Sequence, residues 1–292
     1  MKRIAILGPG LLGGSIAKAV MRGGLADAVR VWGRRSSGVD EVLAGDWGGE
    51  VELMATTDLG EVLSGADLIV LATPVGVMRE LGERVVDFLE EADAIPGRVV
   101  IDIASVKARV MVDVAPVFEE AGISFVPCHP MAGSEKTGWA HSRADLFHGA
   151  VCIVTPRVGG DEETVGRVTA FWEALGSRVV KMGALEHDRA VARVSHLPHA
   201  VASVLVRVAL CGGAGELAGN GLRDSTRVAA GPAEMWSEIL LENREAVMES
   251  MVDFQDELSE MLAILERKDE EGLRWFLSHA KEMRDGLEGI KE

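Results

Sequence analysis

The sequence predicts an α/β domain at residues 1–183, built on a doubly wound and mainly parallel sheet, followed by an all-helical domain at residues 184–292. Up to about residue 183, short runs rich in valine and isoleucine alternate with amphipathic stretches, a pattern typical of a parallel sheet covered by helices. A glycine-rich turn follows the first of these runs. From Glu186 onward the β-branched runs end and stretches of helical periodicity replace them, which predicts a second domain without strands.

Seven apolar runs have the length and composition of buried strands. They are Arg3–Leu7, Val29–Trp32, Leu68–Leu71, Val99–Ile103, Ser124–Val126, Val151–Val154 and Arg178–Met182. In the second domain, residues 233–267 place apolar side chains at spacings of three or four, which predicts one helix of about nine turns. So long an apolar face needs a partner. We therefore expect residues 269–286 to fold back on it and a second subunit to complete the core of a homodimer.

Composition argues against several classes of function. The 292 residues carry 46 acidic and 30 basic side chains, a formal net charge of -16. A field of that sign repels nucleic-acid phosphates and anionic lipid headgroups, so we expect neither a nucleic acid nor a membrane as a partner. The cysteines Cys128, Cys152 and Cys211 form no CxxC pair, which favours free thiols in a cytoplasmic protein. No signal peptide and no apolar run of the roughly 20 residues needed to span a membrane is recognisable.

The first strand runs into a GxGxxG segment, Gly8-Pro9-Gly10-Leu11-Leu12-Gly13, and then into a helical stretch. This is the fingerprint of a Rossmann dinucleotide-binding domain. Gly8 permits the tight turn, Gly10 lets the backbone approach the pyrophosphate, and Gly13 lets the helix pack on the strand. The N-terminus of that helical stretch, which we expect over residues 16–22, then faces the phosphate charge, and Leu11 and Leu12 of the loop are predicted to contact the cofactor with the glycines.

The segment after the second strand bears on the choice of cofactor. An NAD-preferring site usually carries an acid there to bind the ribose 2′-hydroxyl, but this chain has Arg34, Arg35 and Ser36. Planar guanidinium groups suit a 2′-phosphate, so we expect NADP to be preferred. The alternative, in which Arg34 stacks on adenine and NAD is used as well, stays open. Thr73 and Pro74, which follow the strand at Leu68–Leu71, complete the predicted cofactor site.

Two polar segments follow neighbouring strands, at residues 102–107 and 128–136. Ligands bind at the carboxyl edge of such a sheet, so Ser105 and His129 would face the nicotinamide half of the cofactor. A lone histidine before proline is more often a turn former than a catalytic base. Because the two polar segments occur together, they favour a catalytic role for His129 over that of a turn former.

The helical domain adds polar segments at residues 195–199 and 221–229. Burying unpaired charge is costly, so a bound anion is expected there. Arg223 and Asp224 are predicted to form a structural ion pair, which leaves Arg227 for a ligand carboxylate. His196 and His199 share a helix face if the segment stays helical despite Pro198. No third ligand with suitable spacing accompanies them, so no metal is expected.

In this order, the segments GPGLLGGS, DIASVK, HPMAGSEKTGW, SHLPH and RDSTRVAAGPAEMW resemble the prephenate/arogenate dehydrogenase family of tyrosine biosynthesis. The resemblance runs from residue 8 to residue 236. It implies a Rossmann domain, a helical dimerisation domain, and oxidative decarboxylation of prephenate to 4-hydroxyphenylpyruvate or of arogenate to tyrosine.

The same resemblance implies that His129 is the catalytic base and that Ser105 supports the substrate hydroxyl. It also implies a set of substrate-binding residues, namely Ser134, Glu135, His196, His199, Arg227 and Trp236. The chain departs from the family's pattern at Gly231, where an acid is frequent, and in the basic loop after Trp32.

Two alternatives to this function remain. One is a 3-hydroxyacid or imine dehydrogenase with the same arrangement of domains. Such enzymes usually rely on a lysine in the helical domain, and no lysine lies between Lys181 and Lys268. The other is a non-catalytic dinucleotide-binding protein, which would have no use for a clustered serine, histidine and arginine. The residues do not distinguish prephenate from arogenate, which differ only in a keto or amino group.

Overall fold

A computed structural model describes residues 1–45, 51–91, 95–134 and 136–287. The chain divides into two compact units, residues 1–243 and the segment that begins at Arg244. The helices between residues 184 and 243 therefore belong to the same compact unit as the sheet, and the domain boundary after residue 183 stays a prediction. Across the described ranges, no helix combines the length and the apolarity that crossing a bilayer would require.

Eight strands form one sheet in the order β3-β2-β1-β4-β5-β6-β7-β8. They are β1 (Arg3–Leu7), β2 (Ala28–Trp32), β3 (Glu52–Thr56), β4 (Leu68–Leu71), β5 (Val99–Asp102), β6 (Ser124–Pro130), β7 (Val151–Val154) and β8 (Arg178–Lys181). Every neighbouring pair is parallel except β6 and β7, which are antiparallel. The predicted α/β class with a mainly parallel, doubly wound sheet is confirmed.

The helices fall between and after these strands. They are α1 (Leu11–Gly23), α2 (Ser36–Leu43), α3 (Leu59–Leu63), α4 (Met78–Glu91), α5 (Ala108–Asp113), α6 (Ala115–Glu120), α7 (Glu162–Ala174), α8 (Ala184–Val191), α9 (Leu197–Ala209), α10 (Asn220–Thr226), α11 (Ala233–Glu242), α12 (Arg244–Arg267) and α13 (Glu270–Gly286). A π-helical turn, Ala192–His196, joins α8 to α9.

The sheet is buried on both faces because its strands are apolar at successive positions. In β1, Ile4 and Ile6 pack into the core on one face of the sheet, whereas Ala5 and Leu7 pack into the core on the other. Strands covered on both sides read as continuous apolar runs, which is why the sequence identifies them. The rigid sheet fixes the positions of the loops that leave its carboxyl edge.

The prediction of a single helix over residues 233–267 is wrong. Helix α11 ends at Glu242 and α12 begins at Arg244, with Asn243 between them in a non-helical conformation, φ -107° and ψ 27°. The Asn243 side chain is buried and donates a hydrogen bond of 2.8 Å to the main-chain oxygen of Asp188. This contact outside the helix stabilises the break.

In the second unit, α13 packs against α12, as the fold-back prediction requires. The side chain of Asp269 caps α13 by accepting a hydrogen bond from the amide of Gly272 at 2.9 Å. Lys268, immediately before this cap, is the residue that makes the tight connection, with φ 52°.

Candidate active site

The loop between β1 and α1 has the shape that a dinucleotide pyrophosphate requires. Gly8 has φ +130°, and a Cβ atom there would lie 2.4 Å from the main-chain oxygen of Ala72. A Cβ on Gly13 would lie 2.2 Å from the oxygen of Gly8. By contrast, no described atom lies within 4 Å of a Cβ placed on Gly10, so the loop is closely packed on one side and open on the other. The N-terminus of α1 points into this opening, with no side chain capping it at Gly10, and it can receive phosphate.

The other predicted cofactor residues lie at the same edge of the sheet. The amide of Gly8 donates a hydrogen bond of 3.0 Å to the oxygen of Trp32, which ties the glycine loop to the end of β2. Arg34 and Arg35 follow Trp32 and are exposed, and Ser36 begins α2. Next to this, Thr73 and Pro74 follow β4, and the buried hydroxyl of Thr73 has no hydrogen-bond partner within the described chain. These residues fit a dinucleotide.

His129 lies near the end of β6 and is only 7% exposed. Its Nδ1 atom is 2.8 Å from Nε2 of His187, a residue of α8 that is fully buried. The two imidazole rings meet edge to face, with their centroids 5.0 Å apart. Since His187 occupies the Nδ1 side, Nε2 is the atom of His129 that is left for a ligand.

Asp188 holds His187 in turn. One carboxylate oxygen of Asp188 is 2.7 Å from Nδ1 of His187 and accepts the amide of Lys107 at 2.8 Å, and the other oxygen accepts the amide of Ala108 at 2.9 Å. Burial acts to raise the pKa of Asp188, but the hydrogen bonds from His187 and from the two amides outweigh burial and lower that pKa. Asp188 is therefore an ionised acceptor that links α8 to the start of α5.

A buried ion pair lies behind this network. Nζ of Lys107 binds the carboxylate of Asp102 at the end of β5, and both side chains are fully buried. The carboxylate also accepts the amide of Ala104 at 2.9 Å. Burial raises the pKa of Asp102, and the charge of Lys107 opposes that effect.

Burial and nearby positive charge keep the two facing histidines neutral. The pKa of His129 is held well below the reference value of 6.5, chiefly by burial, with further lowering by His187 and Lys107. Burial also lowers the pKa of His187, although the hydrogen bond to Asp188 acts in the opposite direction. A neutral imidazole at this edge of the sheet can accept a proton near neutral pH.

The predicted histidine pair of the helical segment lies beside Trp236. His199 stacks on the indole with a centroid distance of 3.6 Å and an interplanar angle of 9°, and His196 meets it edge on at 6.3 Å. The chain stays helical through Pro198, which falls in the first turn of α9 where no main-chain donor is needed. The two histidines therefore share a face, as predicted.

Gly231 packs directly against this aromatic group. A Cβ atom on Gly231 would lie 2.4 Å from Nε1 of Trp236 and 3.5 Å from Cε1 of His199. A side chain at this position, such as the acid that the resemblance implies there, would require the indole to move. The glycine and the position of Trp236 are thus coupled in this chain.

Asn243 connects the aromatic group to the histidine and aspartate network. Its Nδ2 atom donates to the oxygen of Asp188 and lies 3.1 Å from Nδ1 of His196. Burial lowers the pKa of His196 to about 4. Across the described ranges, no cluster of three or more histidine, cysteine, aspartate or glutamate side chains is arranged to hold a metal ion.

Other predicted site residues are less closely tied to this network. Ser105 is half-buried in the loop between β5 and α5, and its hydroxyl makes no hydrogen bond within the described chain. Ser134 is exposed, and its hydroxyl accepts the amide of Lys136 at 3.1 Å. Arg227 is exposed at the end of α10. Glu135 lies outside the described residues.

Sequence reasoning missed the roles of His187, Asp188, Lys107 and Asn243. One signal was available for the first two. On α8, His187 and Asp188 occupy positions four residues before the buried Val191 and Ala192, so the helical period places both polar side chains on the apolar face.

The predicted ion pair between Arg223 and Asp224 is absent from the salt bridges of the described residues, and both side chains are exposed.

Comparisons with known proteins show the family to which the chain belongs. Residues 25–181 match the family described as prephenate dehydrogenase, nucleotide-binding domain, and residues 184–279 match prephenate dehydrogenase, dimerization domain. The first match begins after the glycine loop, so the assignment of that loop depends on its geometry. Prephenate dehydrogenase of Bacillus subtilis (strain 168) is 32% identical over 296 residues, which are 97% of this chain and 76% of that protein.

Solved structures show the same likeness. A crystal structure of prephenate dehydrogenase from A. aeolicus, in complex with hydroxyphenyl propionate and NAD+, has a TM-score of 0.86 at 31% identity and covers 98% of each chain. Synechocystis arogenate dehydrogenase has a TM-score of 0.78 at 25% identity, with 98% of this chain and 99% of that chain covered. On the strength of both domain matches and these near full-length relatives, the chain belongs to the prephenate dehydrogenase family of oxidoreductases.

Proposed function

We propose that this chain catalyses the oxidative decarboxylation of prephenate or arogenate, with His129 as the base. The observation that carries the proposal is a buried, neutral His129 at the carboxyl edge of the sheet, with its Nδ1 side occupied by His187. Relatives that are named for these two substrates match nearly the whole chain. The 3-hydroxyacid and imine dehydrogenases considered above are not the families that the two domains match.

The reaction needs one base and one hydride acceptor. Nε2 of His129 accepts the proton of the substrate hydroxyl while a hydride leaves the ring carbon that bears this hydroxyl. The dinucleotide, when bound, supplies the acceptor for that hydride. The electron pair of the bond to the departing carboxylate then enters the ring, which becomes aromatic as carbon dioxide is released, and His129 returns its proton to the phenolic oxygen. His129 is thus neutral again at the end of the cycle, and the proton leaves with the phenolic product.

Anion recognition and orientation are assigned to the other predicted residues. Arg227 holds a substrate carboxylate, for which a bidentate guanidinium is well shaped. Such a local cation is needed because the chain as a whole is strongly acidic and repels a dianionic substrate. Ser105, with a hydroxyl that is not engaged elsewhere in the described chain, orients the substrate hydroxyl toward His129.

The remaining substrate contacts come from the aromatic group and the loop after β6. The stacked pair of His199 and Trp236, with His196 at its edge, provides a flat wall against which the ring of the substrate can lie. Ser134, in the loop after β6, and Glu135 are assigned to substrate binding as well. This fixes the ring in one orientation and converts binding energy into alignment.

For the cofactor, we propose a preference for NADP over NAD. Two exposed guanidinium groups, Arg34 and Arg35, follow β2 at the place where an acid would bind the ribose hydroxyls of NAD. Ser36 adds a hydroxyl at the first residue of α2. The solved relative from A. aeolicus was crystallised with NAD+, so dual use is the competing hypothesis.

We also propose that the protein is a homodimer in the cytoplasm. Along α12 several large apolar side chains are 38–54% exposed in the single chain, namely Met251, Phe254, Leu258, Leu262 and Leu265. An apolar stripe of this length in water promotes association. The free thiols of Cys128, Cys152 and Cys211 fit a reducing compartment. Light scattering on dilute protein tests the dimer, and a persistent monomer contradicts it.

Steady-state kinetics with both substrates and both cofactors test the proposed function. Formation of reduced nicotinamide is followed by absorbance for prephenate and for arogenate, each with NADP and with NAD. Turnover of at least one substrate, with release of carbon dioxide, is the expected result. A protein that binds dinucleotide but turns over neither substrate contradicts the proposal and favours a non-catalytic binding protein.

A further inference from the structure

The hydrogen bonds behind His129 form a directed chain. Asp188 accepts two main-chain amides, from Lys107 and Ala108, so its carboxylate is fixed in position and acts only as an acceptor. The atom of His187 that faces it, Nδ1 at 2.7 Å, must therefore be the donor. In a neutral imidazole only one nitrogen carries the proton. Nε2 of His187 consequently carries a lone pair and no proton.

This assignment determines the proton on the next ring. Nε2 of His187 lies 2.8 Å from Nδ1 of His129, and two lone pairs do not form a hydrogen bond. Nδ1 of His129 must carry the proton and donate it to His187. The lone pair of His129 is then on Nε2, the nitrogen on the opposite side of the ring.

We propose that His187, held by Asp188, is a positioning residue that keeps the proton of His129 on Nδ1 and so presents the Nε2 lone pair to the substrate hydroxyl. This inference rests on the proposed function of His129 as the base. Without His187, the neutral ring would divide between two tautomers, and the one that carries its proton on Nε2 cannot accept another there. The ring would also lose the contact that fixes its orientation.

The surroundings suit this role, because within the described ranges the His187 ring makes hydrogen bonds to Asp188 and His129 alone. His187 is fully buried and projects from α8. The groups that face it are Asp188 on one side and His129 on the other, with the buried ammonium of Lys107 nearby. That positive charge, together with burial, favours the neutral form of the ring, which is the form that can both donate and accept.

The first test needs no substitution at His187. In wild-type protein labelled with nitrogen-15 in histidine, two-bond proton-nitrogen correlation spectra distinguish protonated from unprotonated ring nitrogens. The signals of His129 are identified by their loss in the His129→Asn variant. The expected result is a neutral His129 that is protonated on Nδ1. A His129 protonated on Nε2 in the free enzyme overturns the inference, whatever the activity of the protein.

The second test uses two substitutions that differ in one property. His187→Phe keeps a ring of similar size but removes the acceptor, and His187→Gln keeps an amide oxygen that can accept from Nδ1 of His129. We expect His187→Phe to lower kcat about 10- to 100-fold, less than removal of the base itself, with a change in KM below about threefold. We expect His187→Gln to recover kcat to within about fivefold of the wild type.

Controls separate a positioning role from loss of structure. His148→Phe replaces an exposed histidine and should leave kcat and KM unchanged. Dinucleotide affinity of His187→Phe should match that of the wild type, since the glycine loop is formed by other elements. Equal kcat for His187→Phe and the wild type, or equal losses in the Phe and Gln variants, would overturn the inference while the proposed function stands. If instead the wild type turns over neither substrate, the proposed function fails, and the tautomer measurement still tests whether His187 keeps the proton of His129 on Nδ1.

Discussion

Replacing Lys107 by methionine should destabilise the fold, because its ion-pair partner Asp102 then stays buried without a counter-charge. Methionine fills a volume close to that of the lysine stem, so the substitution removes the charge with little change in packing. Asp102 is then left with a fully buried carboxylate whose hydrogen bonds come only from main-chain amides, those of Ala104 and Cys128. Removing one member of a buried ion pair costs about 3–5 kcal/mol, and these hydrogen bonds favour the lower end. We expect a loss of about 3 kcal/mol.

The loss should depend on pH in a defined direction. Burial already raises the pKa of Asp102 and Lys107 opposes this, so the substitution raises that pKa further. The unfolded chain releases the proton of Asp102 above about pH 4, whereas the folded variant keeps it. The free energy of unfolding of the variant therefore falls as the pH rises through the folded pKa of Asp102, by at most about 1.4 kcal/mol per pH unit. The deficit relative to the wild type should therefore be larger at about pH 8 than at about pH 5.

Thermal unfolding followed by circular dichroism measures the effect. A loss of about 3 kcal/mol lowers the Tm by about 6–12 °C for a unit of this size. The Asp102→Asn/Lys107→Met double variant removes the unpaired charge and should recover most of the loss. Lys181→Met, at an exposed lysine, should stay within about 0.5 kcal/mol of the wild type. A Tm of Lys107→Met within 2 °C of the wild type, by the same conversion about 1 kcal/mol or less, would refute the reasoning.

Three further predictions concern ligands and pH. Arg227→Ala should raise KM for the substrate with little change in kcat or in cofactor affinity, because a carboxylate contact is present in both ground and transition states; normal prephenate binding in a titration would make Arg227 structural and Arg223 the candidate. The wild type should prefer NADP by at least about tenfold, and Arg34→Asp should reverse the order of the two cofactors by repelling the 2′-phosphate; equal turnover with NAD would require the NADP assignment to be withdrawn. His129 must be neutral to act as the base, and its pKa is held below 6.5. As the pH is lowered, kcat/KM should therefore begin to fall only below pH 6.5. A fall in kcat/KM with its midpoint at or above pH 6.5 would contradict the lowered pKa of His129.

The sequence was most informative about the sheet. The bounds predicted for β1, β4 and β7 are those of the structure, because strands buried on both faces leave continuous apolar runs. Strand β3 was missed since it lies at the edge of the sheet, where only Ala55 among its five residues is buried. An edge strand needs no apolar run, so its pattern does not identify it.

The break between α11 and α12 shows a different limit. The apolar spacing of three or four continues on both sides of the polar Asn243, and no proline or glycine stands there to end the helix. The helix breaks because the amide of Asn243 finds partners at Asp188 and His196, which are 55 and 47 residues away in sequence. Such tertiary contacts override helical propensity.

The candidate active site also contains residues that the sequence predicts and residues that only the structure brings together. Sequence motifs identified His129, which lies near the end of β6, and the loop around Gly8, which follows β1, because the sheet fixes the position of residues at its carboxyl edge. The pairing of His129 with His187 joins residues 58 positions apart through the packing of α8 against the start of α5. No local pattern specifies that packing, so the network that orients the base emerges only from the structure.

Comparison of His129→Asn with the wild type tests the central claim most directly. Asparagine retains a hydrogen-bonding side chain but cannot act as a base at neutral pH, so kcat should fall by about 100- to 10,000-fold. The Kd for dinucleotide should be unchanged, because the glycine loop does not involve His129. Turnover at the wild-type rate in the His129→Asn enzyme, with dinucleotide binding intact, would show that His129 is not the base.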